Sequence, residues 1–330
     1  NNILMKLASG GVHFQCREIS FEDFTVLKQS EKQGGYEIRL WANDYCGEVT
    51  FYPLQAHKDP VYARLFGDRR FRHALSFALN RQEIIDVVYK GIGAPAQFSV
   101  PKGSPYYSDV HAKISVKHDP DRANRLLDEM GLTKRAADGT RLLWDGRPLI
   151  INLDAAPERP LPVVQMAAEY FREIGVNARV KIRSGSLLNR YISIGILDVG
   201  VHKEGGNYFG PLCAGGYAPT HPAECGQWSQ WVAYMRSGGR SGWEPPDRMH
   251  EIERLWEKVI TAPNDKAKLE AWQRLSERTA RDLPIIGLMT SPGKPVYVRN
   301  DFKNVPKLAL AGWIAHEPAN CCPEVFYIEQ

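Results

Sequence analysis

The sequence has little of several features that define whole classes of protein. No apolar run approaches the ~20 residues that a membrane-spanning helix needs. Lysine and arginine are interleaved with aspartate and glutamate, and the net charge is only +4, which argues against a nucleic-acid-binding surface. Six cysteines are too few for a disulfide-built scaffold, although they would allow one or two bridges. Cysteine content therefore leaves the cellular compartment open.

Common catalytic and cofactor motifs are missing as well. The chain has no GxGxxG, Walker, GxSxG, HExxH or CxxC pattern. The closest approach to a metal cluster is His202, Cys213, His221 and Cys225, but this spacing matches no common zinc site and Pro222 breaks any helix there. We therefore expect no catalytic residue, metal or cofactor, and leave open a disulfide between Cys213 and Cys225.

What the sequence does contain is a globular α/β pattern. Its 330 residues, 43% hydrophobic and 24% charged, are enough for two lobes with cores of their own. Helical spacing of Phe71 and Leu75 predicts a helix over 69–79, and Asp119-Pro120 predicts the start of another that buries Leu126 and Leu127. The pattern predicts alternating helices and strands.

A compact strand-helix-strand unit lies near the middle of the chain. Strand 148–156 is followed by a helix over 160–174 that carries Val164 and Phe171, and then by strand 178–183. Such a crossover implies a right-handed parallel pair of strands. We expect this unit to lie in the sheet of an α/β lobe.

Two irregular stretches are candidates for ligand contact. The turn DVGVHKEGGNYFGP, residues 198–211, contains paired glycines that permit close backbone approach. The long loop 212–245 is rich in glycine, proline and tryptophan. Aromatic rings in these stretches could stack on sugars or simply pack the loop; they are Tyr208, Tyr217, Trp228 and Trp231.

Several stretches together resemble one family. FGDRRFRHALSFALNRQEIIDVVYKGIGAPAQFSVP (66–101), HDPDRANRLLDEMG (118–131) and FREIGVNARV (171–180) resemble family 5 of the extracellular solute-binding proteins, the peptide and oligosaccharide receptors of ABC importers. WSQWVAYMRSGG, DLPIIGLM and PEVFYI follow in the order that the family shows. The resemblance implies a class C periplasmic-binding-protein-like α/β fold with two lobes joined by a hinge.

The resemblance also implies how the chain is divided. Residues 1–49 and 295–330 would form part of the first lobe with hinge strands, and residues 50–294 the second α/β lobe. The first residues resemble the interior of the first lobe, so we expect the export signal to lie outside this sequence.

In oligopeptide-binding members, an aspartate in the turn after a DVA-like strand end meets the ammonium group of the ligand. That position falls on Asn207 here, and Glu204-Gly205-Gly206 replaces a Trp-Cys pair. An amide suits neutral hydroxyls or amides, whereas a carboxylate suits an ammonium, a charge that Glu204 could restore. The expected ligand-binding residues are Asn207, Tyr208, Glu204, Gly205, Gly206, Trp228 and Arg183. We expect the Asn207 side chain to project into open space on the cleft side, with Tyr208 beside it.

The function implied by the resemblance is capture of oligopeptides between two lobes and delivery to a membrane permease. An oligosaccharide ligand is the alternative within the family, and a sensor or chaperone receptor on the same fold is also open. An α/β hydrolase or transferase is the rival from another class. We expect a monomer, periplasmic or extracellular and attached to the cell envelope, that binds no nucleic acid.

Overall fold

The computed structural model describes residues 2–17, 19–202 and 205–329. It divides into two compact units, the first made of Asn1–Tyr45 with Ser291–Gln330 and the second of Cys46–Thr290. The assignment of these units to the two lobes of a binding protein stays a prediction.

The first unit is built on a small sheet with two helices. Its helices are α1 (Asn2–Ala8) and α2 (Phe21–Gly34), and its strands are β1 (Phe14–Gln15), β2 (Tyr36–Asn43), β8 (Lys294–Arg299), β9 (Phe302–Lys303), β10 (Leu310–Ala311) and β11 (Tyr327–Ile328). The sheet order is β1-β8-β2-β10, with β9 and β11 forming a separate pair. Tyr36 and Ile38 are buried at alternate positions of β2, whereas Trp41 is buried on the opposite face of the strand in a separate cluster.

The second unit contains a five-stranded sheet with the order β5-β4-β6-β3-β7. Its strands are β3 (Thr50–Pro53), β4 (Ile150–Ala155), β5 (Asn177–Ile182), β6 (Val199–His202) and β7 (Ile286–Gly287). Strands β5, β4 and β6 are parallel to one another, whereas β3 runs antiparallel to both of its neighbours. The sheet is therefore mixed.

Helices surround this sheet. They are α3 (Pro60–Gly67), α4 (Arg69–Ala78), α5 (Arg81–Tyr89), α6 (Asp109–Lys113), α7 (Pro120–Glu129), α8 (Leu161–Glu173), α9 (Gly185–Ser193), α10 (Ser229–Ser237), α11 (Asp247–Ile260) and α12 (Asp265–Asp282). Among the described residues, no helix combines the length and the apolar character that crossing a membrane requires.

The predicted strand-helix-strand unit is confirmed. Strands β4 and β5 pair in parallel from Ile150 opposite Asn177 to Ala155 opposite Ile182, and α8 connects them. The predicted core residues of this unit, Val164 and Phe171, are fully buried. The mixed α/β architecture expected from the sequence is present.

Local capping explains where the predicted helices begin. The carboxylate of Asp68 accepts the amide N–H of Arg70 at the start of α4, and Asp119 accepts that of Arg122 at the start of α7. Of the predicted core positions on these two helices, Phe71, Leu75 and Leu127 are fully buried and Leu126 is half-buried.

A buried arginine ties helices to the sheet. The guanidinium of Arg81 donates hydrogen bonds to the carbonyl oxygens of Ser76, Val116 and Gly287, the last in β7. Burial lowers the pKa of Arg81 to about 9, so the side chain stays charged at neutral pH. Its cost of burial is offset by hydrogen bonds to several carbonyls.

Candidate functional site

The candidate site lies at the edge of the sheet where the parallel strands end. Strands β4, β5 and β6 share this carboxyl edge because they are parallel, and β3 begins there because it is antiparallel. Thr50, the first residue of β3, pairs with His202, the last residue of β6. Ligands of open α/β sheets bind at such an edge.

A cavity of about 370 Å³ opens beside this edge. Strand β3 contributes Thr50 and Tyr52, and the end of β6 with its following turn contributes His202 and Gly205. Much of the remaining lining comes from the irregular loop 212–245 and includes Gln227. The cavity falls within the size range of small-molecule sites.

Tyr52 is positioned by a glycine on the neighbouring strand. Tyr52 and Gly200 are directly opposite in the β3–β6 pair, and a Cβ on Gly200 would stand 2.0 Å from the Cζ atom of the tyrosine ring. The ring therefore occupies the space that a side chain would need. Burial raises the pKa of Tyr52 to about 12, so its hydroxyl stays protonated and can donate a hydrogen bond.

An ion pair crosses the ends of β4 and β5. The guanidinium Nε of Arg183 donates to the carboxylate of Asp154, which is 2% exposed, and the guanidinium carbon lies 4.6 Å from the ring centroid of Tyr191. Burial raises the pKa of Asp154, while Arg183 acts in the opposite direction. Arg183, a predicted ligand residue, is thus already paired with a buried carboxylate.

The paired glycines are explained by contacts within the chain itself. A Cβ on Gly205 would stand 1.3 Å from the carbonyl oxygen of Cys46, and one on Gly206 would stand 2.4 Å from the hydroxyl of Tyr217. The carbonyl of Gly206 also accepts the amide N–H of Cys46 at 3.0 Å. Close approach does occur here, but the approaching backbone is that of Cys46.

Asn207 differs from the expectation that its side chain projects into open space. The residue is only 6% exposed, and its Oδ1 atom accepts the amide N–H of Phe209 at 2.9 Å. That expectation is wrong because the side chain folds back on its own turn, as Asn commonly does. Tyr208 is half-buried, its ring packs edge-on to Phe209, and its carbonyl accepts the hydroxyl of Ser104.

The aromatic residues that could stack on a ligand lie in different parts of the structure. Trp228 and Tyr217 are each 1% exposed and belong to the core of the second unit. Trp231, 9% exposed, lines a different pocket, between the start of α11 and α3. Glu204 lies outside the described residues. Of the predicted set, the cavity is lined by Gly205. Ligand contact by these residues stays a prediction.

Thr50 and Tyr52 are among the cavity residues that were not predicted as ligand-binding from the sequence. Thr50 and Tyr52 lie at alternate positions of β3, which places them on one face of the strand. The stretch VTFYP is rich in β-branched and aromatic residues before a proline, which is a usable strand signal. Its position on the sheet edge, however, depends on pairing with a distant strand.

Cysteine and metal chemistry contribute little to the site. No disulfide joins any of the six cysteines, all of which are described, so a bridge between Cys213 and Cys225 is not formed. Cys225 is instead buried, with its thiol 3.3 Å from the carbonyl oxygen of Ala218, and burial raises its pKa. Across the described ranges, no group of three or more His, Cys, Asp or Glu side chains could hold a metal ion.

Comparison with known proteins defines the class. The chain superposes over its full length on the oligopeptide-binding protein OppA, with a TM-score of 0.80 and 30% sequence identity, and covers 55% of that chain. It also superposes on the periplasmic binding protein MelB of Agrobacterium fabrum in complex with stachyose, with a TM-score of 0.75 and 16% identity, over 92% of this chain and 46% of that one. The fold is that of the periplasmic binding proteins.

The family follows from the sequence match. The model of bacterial extracellular solute-binding proteins, family 5 Middle, matches residues 4–213. The chain belongs to this family. A Deinococcus radiodurans protein named "Probable ABC transporter-binding protein" is 30% identical over 121 residues, which are 36% of this chain and 20% of that protein. The chain spans about half the length of the solved relatives, 55% and 46% for the two above.

Proposed function

We propose that this protein is the solute-binding receptor of an ABC importer and that it captures oligopeptides. The observation that carries the proposal is the 30% identity with an oligopeptide-binding protein over the whole of this chain. The cavity at the carboxyl edge of the sheet supports it, because ligands of this fold class bind at such an edge. No chemical step is part of the proposed function.

The proposed role of the cavity is to provide one wall of the ligand site. An extended peptide offers backbone N–H and C=O groups along its length. The protonated hydroxyl of Tyr52 would donate a hydrogen bond to such a carbonyl group. Thr50, which also carries a hydroxyl, lies on the same face of β3. Binding energy would then favour the closed form of two lobes, and a membrane permease would recognise that form at the cell envelope.

Oligosaccharides are the second candidate ligand class. The observation in favour is Asn207, a neutral amide at the position where the resemblance places an aspartate. A neighbour of the same fold has been solved in complex with stachyose. Position 207 itself therefore lacks the charge that would pair with the ammonium of a peptide.

Calorimetric titration of the full-length protein separates the two ligands. We expect tetra-alanine to bind and stachyose not to bind. Asn207→Asp should increase the affinity for the peptide, because a carboxylate attracts its ammonium group. Binding of stachyose in place of the peptide would select the second candidate. Binding of neither compound, in a sample whose thermal melt is cooperative, would contradict both ligand assignments.

A further inference from the structure

A second, larger pocket lies at the other edge of the same sheet. Because β3 is antiparallel to β6, its last residue, Pro53, pairs with Val199 at the start of β6. The residues that follow, 55–57, therefore lie away from the edge at which the cavity opens. They line a pocket of about 650 Å³ together with the start of α11 and parts of α3 and the tryptophan-rich loop.

Two guanidinium groups of this pocket form no ion pair with a described carboxylate. Arg64 lies over the ring of Trp144, with its guanidinium carbon 3.9 Å from the ring centroid, and Arg248 lies 5.1 Å from the centroid of Trp231. Within the part of the chain that the structure describes, neither has a carboxylate oxygen within 4.0 Å. Arg248 makes one long hydrogen bond, 3.3 Å from its Nη2 atom to Oε1 of Gln55.

The two carboxylates of the pocket do not neutralise these arginines. Asp68 is engaged by Arg70, whose Nη2 lies 2.7 Å from Oδ2 and whose Nε contacts both carboxylate oxygens at 3.2 Å. Glu244 is exposed, so water screens its charge. The pocket thus retains positive charge on two side chains.

Gln55 has a buried amide donor that lacks an acceptor among the described residues. The residue is 1% exposed, and its Oε1 atom faces Arg248, which fixes the orientation of the amide. Its Nε2 group is buried and has no acceptor among the described residues. A buried donor without an acceptor costs free energy, so an oxygen ligand beside Arg248 would relieve that cost.

The start of α11 strengthens the attraction for an anion. The N-cap residue of this 14-residue helix, Pro246, makes no side-chain cap, and the carboxylate of Asp247 in the first turn is exposed, so that it offsets the helix dipole only in part. Pro245, Pro246 and Arg248 line the pocket, so the positive end of the helix dipole faces it. Trp231 and Trp243 add an apolar wall beside the charged groups.

We propose that this pocket binds the carboxylate of a small organic acid, whose apolar body packs against Trp231 and Trp243. Arg248 and Arg64 hold the carboxylate, and Gln55 donates its amide N–H. The site is separate from the proposed peptide cavity, because the two open at opposite edges of the sheet.

Benzoate is the probe that tests the charge and the apolar body together. Titration of the full chain, followed by calorimetry or ligand-observed NMR, should show benzoate binding and much weaker binding of benzamide, which has the same ring without the charge. Equal binding of the two would overturn the proposal. Inorganic phosphate that binds while benzoate does not would equally overturn it, since the apolar wall would then have no role.

Variants locate the binding. Arg248→Met and Arg64→Met should each weaken benzoate binding by about tenfold, the scale of one lost charge-assisted contact. Arg254→Met, on the exposed face of the same helix, is the matched control and should bind as the parent does. Arg64 is exposed, so its variant tests the site even if loss of Arg248 impairs folding. Benzoate affinity that is unchanged in Arg64→Met, and in Arg248→Met if that variant folds, would overturn the proposal. Tetra-alanine binding should be unaffected in both variants.

Discussion

The carbonyl oxygen of Cys46 lies where a side chain on Gly205 would have to begin, 1.3 Å from an ideal Cβ position. Gly205→Ala must therefore displace the backbone of one of the two segments. We expect the free energy of unfolding to fall by about 3 kcal/mol, at the upper end of overpacking costs. Chemical denaturation would measure it.

The control for this change is Gly185→Ala. Gly185 is the first residue of α9, and a Cβ there meets nothing within 4 Å. Alanine should leave stability unchanged or raise it by about 0.5 kcal/mol. Equal stability of the Gly205 and Gly185 variants would contradict the close contact with Cys46.

Removal of Arg183 should leave the buried carboxylate of Asp154 without its partner. We expect Arg183→Met to lower the free energy of unfolding by about 3 kcal/mol at neutral pH, the usual scale for breaking a buried pair. Arg179→Met, an exposed substitution in the preceding strand β5, is the control and should change little.

The same variant should show a defined pH dependence. The pKa of Asp154 is already raised in the folded protein, and loss of Arg183 removes an influence that lowers it. A folded-state pKa above the unfolded value means that stability is retained at acid pH and lost as pH rises through the folded pKa. The deficit of Arg183→Met should thus shrink on acidification toward the unfolded-state pKa of aspartate, about 3.9. A deficit that is constant with pH would contradict the burial of a charged Asp154.

Asn207→Ala removes the acceptor for the amide N–H of Phe209. We expect the free energy of unfolding to fall by about 1 kcal/mol because that partly buried N–H loses its partner. Asn207→Ser should recover part of the loss, since a hydroxyl can accept the same bond. Asn189→Ala, at an exposed position of α9, is the comparison. Full stability of Asn207→Ala by thermal melting would argue against a structural role for this side chain.

Tyr52→Phe tests the cavity with the smallest possible change. The hydroxyl of Tyr52 makes no hydrogen bond to a described residue, so its removal should leave stability within about 0.5 kcal/mol. Peptide affinity should fall by about tenfold, because a donor to the ligand is lost. Because the pKa is about 12, this group adds no titration to binding at physiological pH.

The reciprocal control is Tyr36→Phe. The Tyr36 hydroxyl donates to the carbonyl oxygen of Leu27 at 2.8 Å in the first unit. Its loss should lower stability while peptide affinity is unchanged. If Tyr52→Phe instead destabilised the protein without altering affinity, the hydroxyl would have a structural role and the cavity assignment would lose its main support.

Features set by local sequence were predictable, whereas features set by distant pairing were not. The β4–α8–β5 unit follows from hydrophobic periodicity and a glycine stop, and its strands lie within about two residues of the predicted bounds. Trp228, by contrast, is in the core of the second unit, which the sequence of its loop does not indicate. Whether a loop tryptophan is buried depends on which distant helices cover it.

The glycines illustrate the same limit in another way. Sequence alone indicates that Gly205 and Gly206 permit a close approach, because they lack a side chain. It does not indicate which group approaches, and here Cys46 is more than 150 residues away along the chain. Only the pairing of the second unit's own segments identifies the contact.

Residues 50–57 reach from one pocket to the other, with Thr50 and Tyr52 at the cavity and Gln55 and His57 at the pocket beyond Pro53. Because β3 is held in register against β6, a one-residue insertion or deletion here would shift the segment and exchange the faces of its side chains. Point substitutions, in contrast, can alter one end and spare the other. Substitutions can therefore change the lining of either pocket independently, whereas the length of this segment is constrained by both pockets.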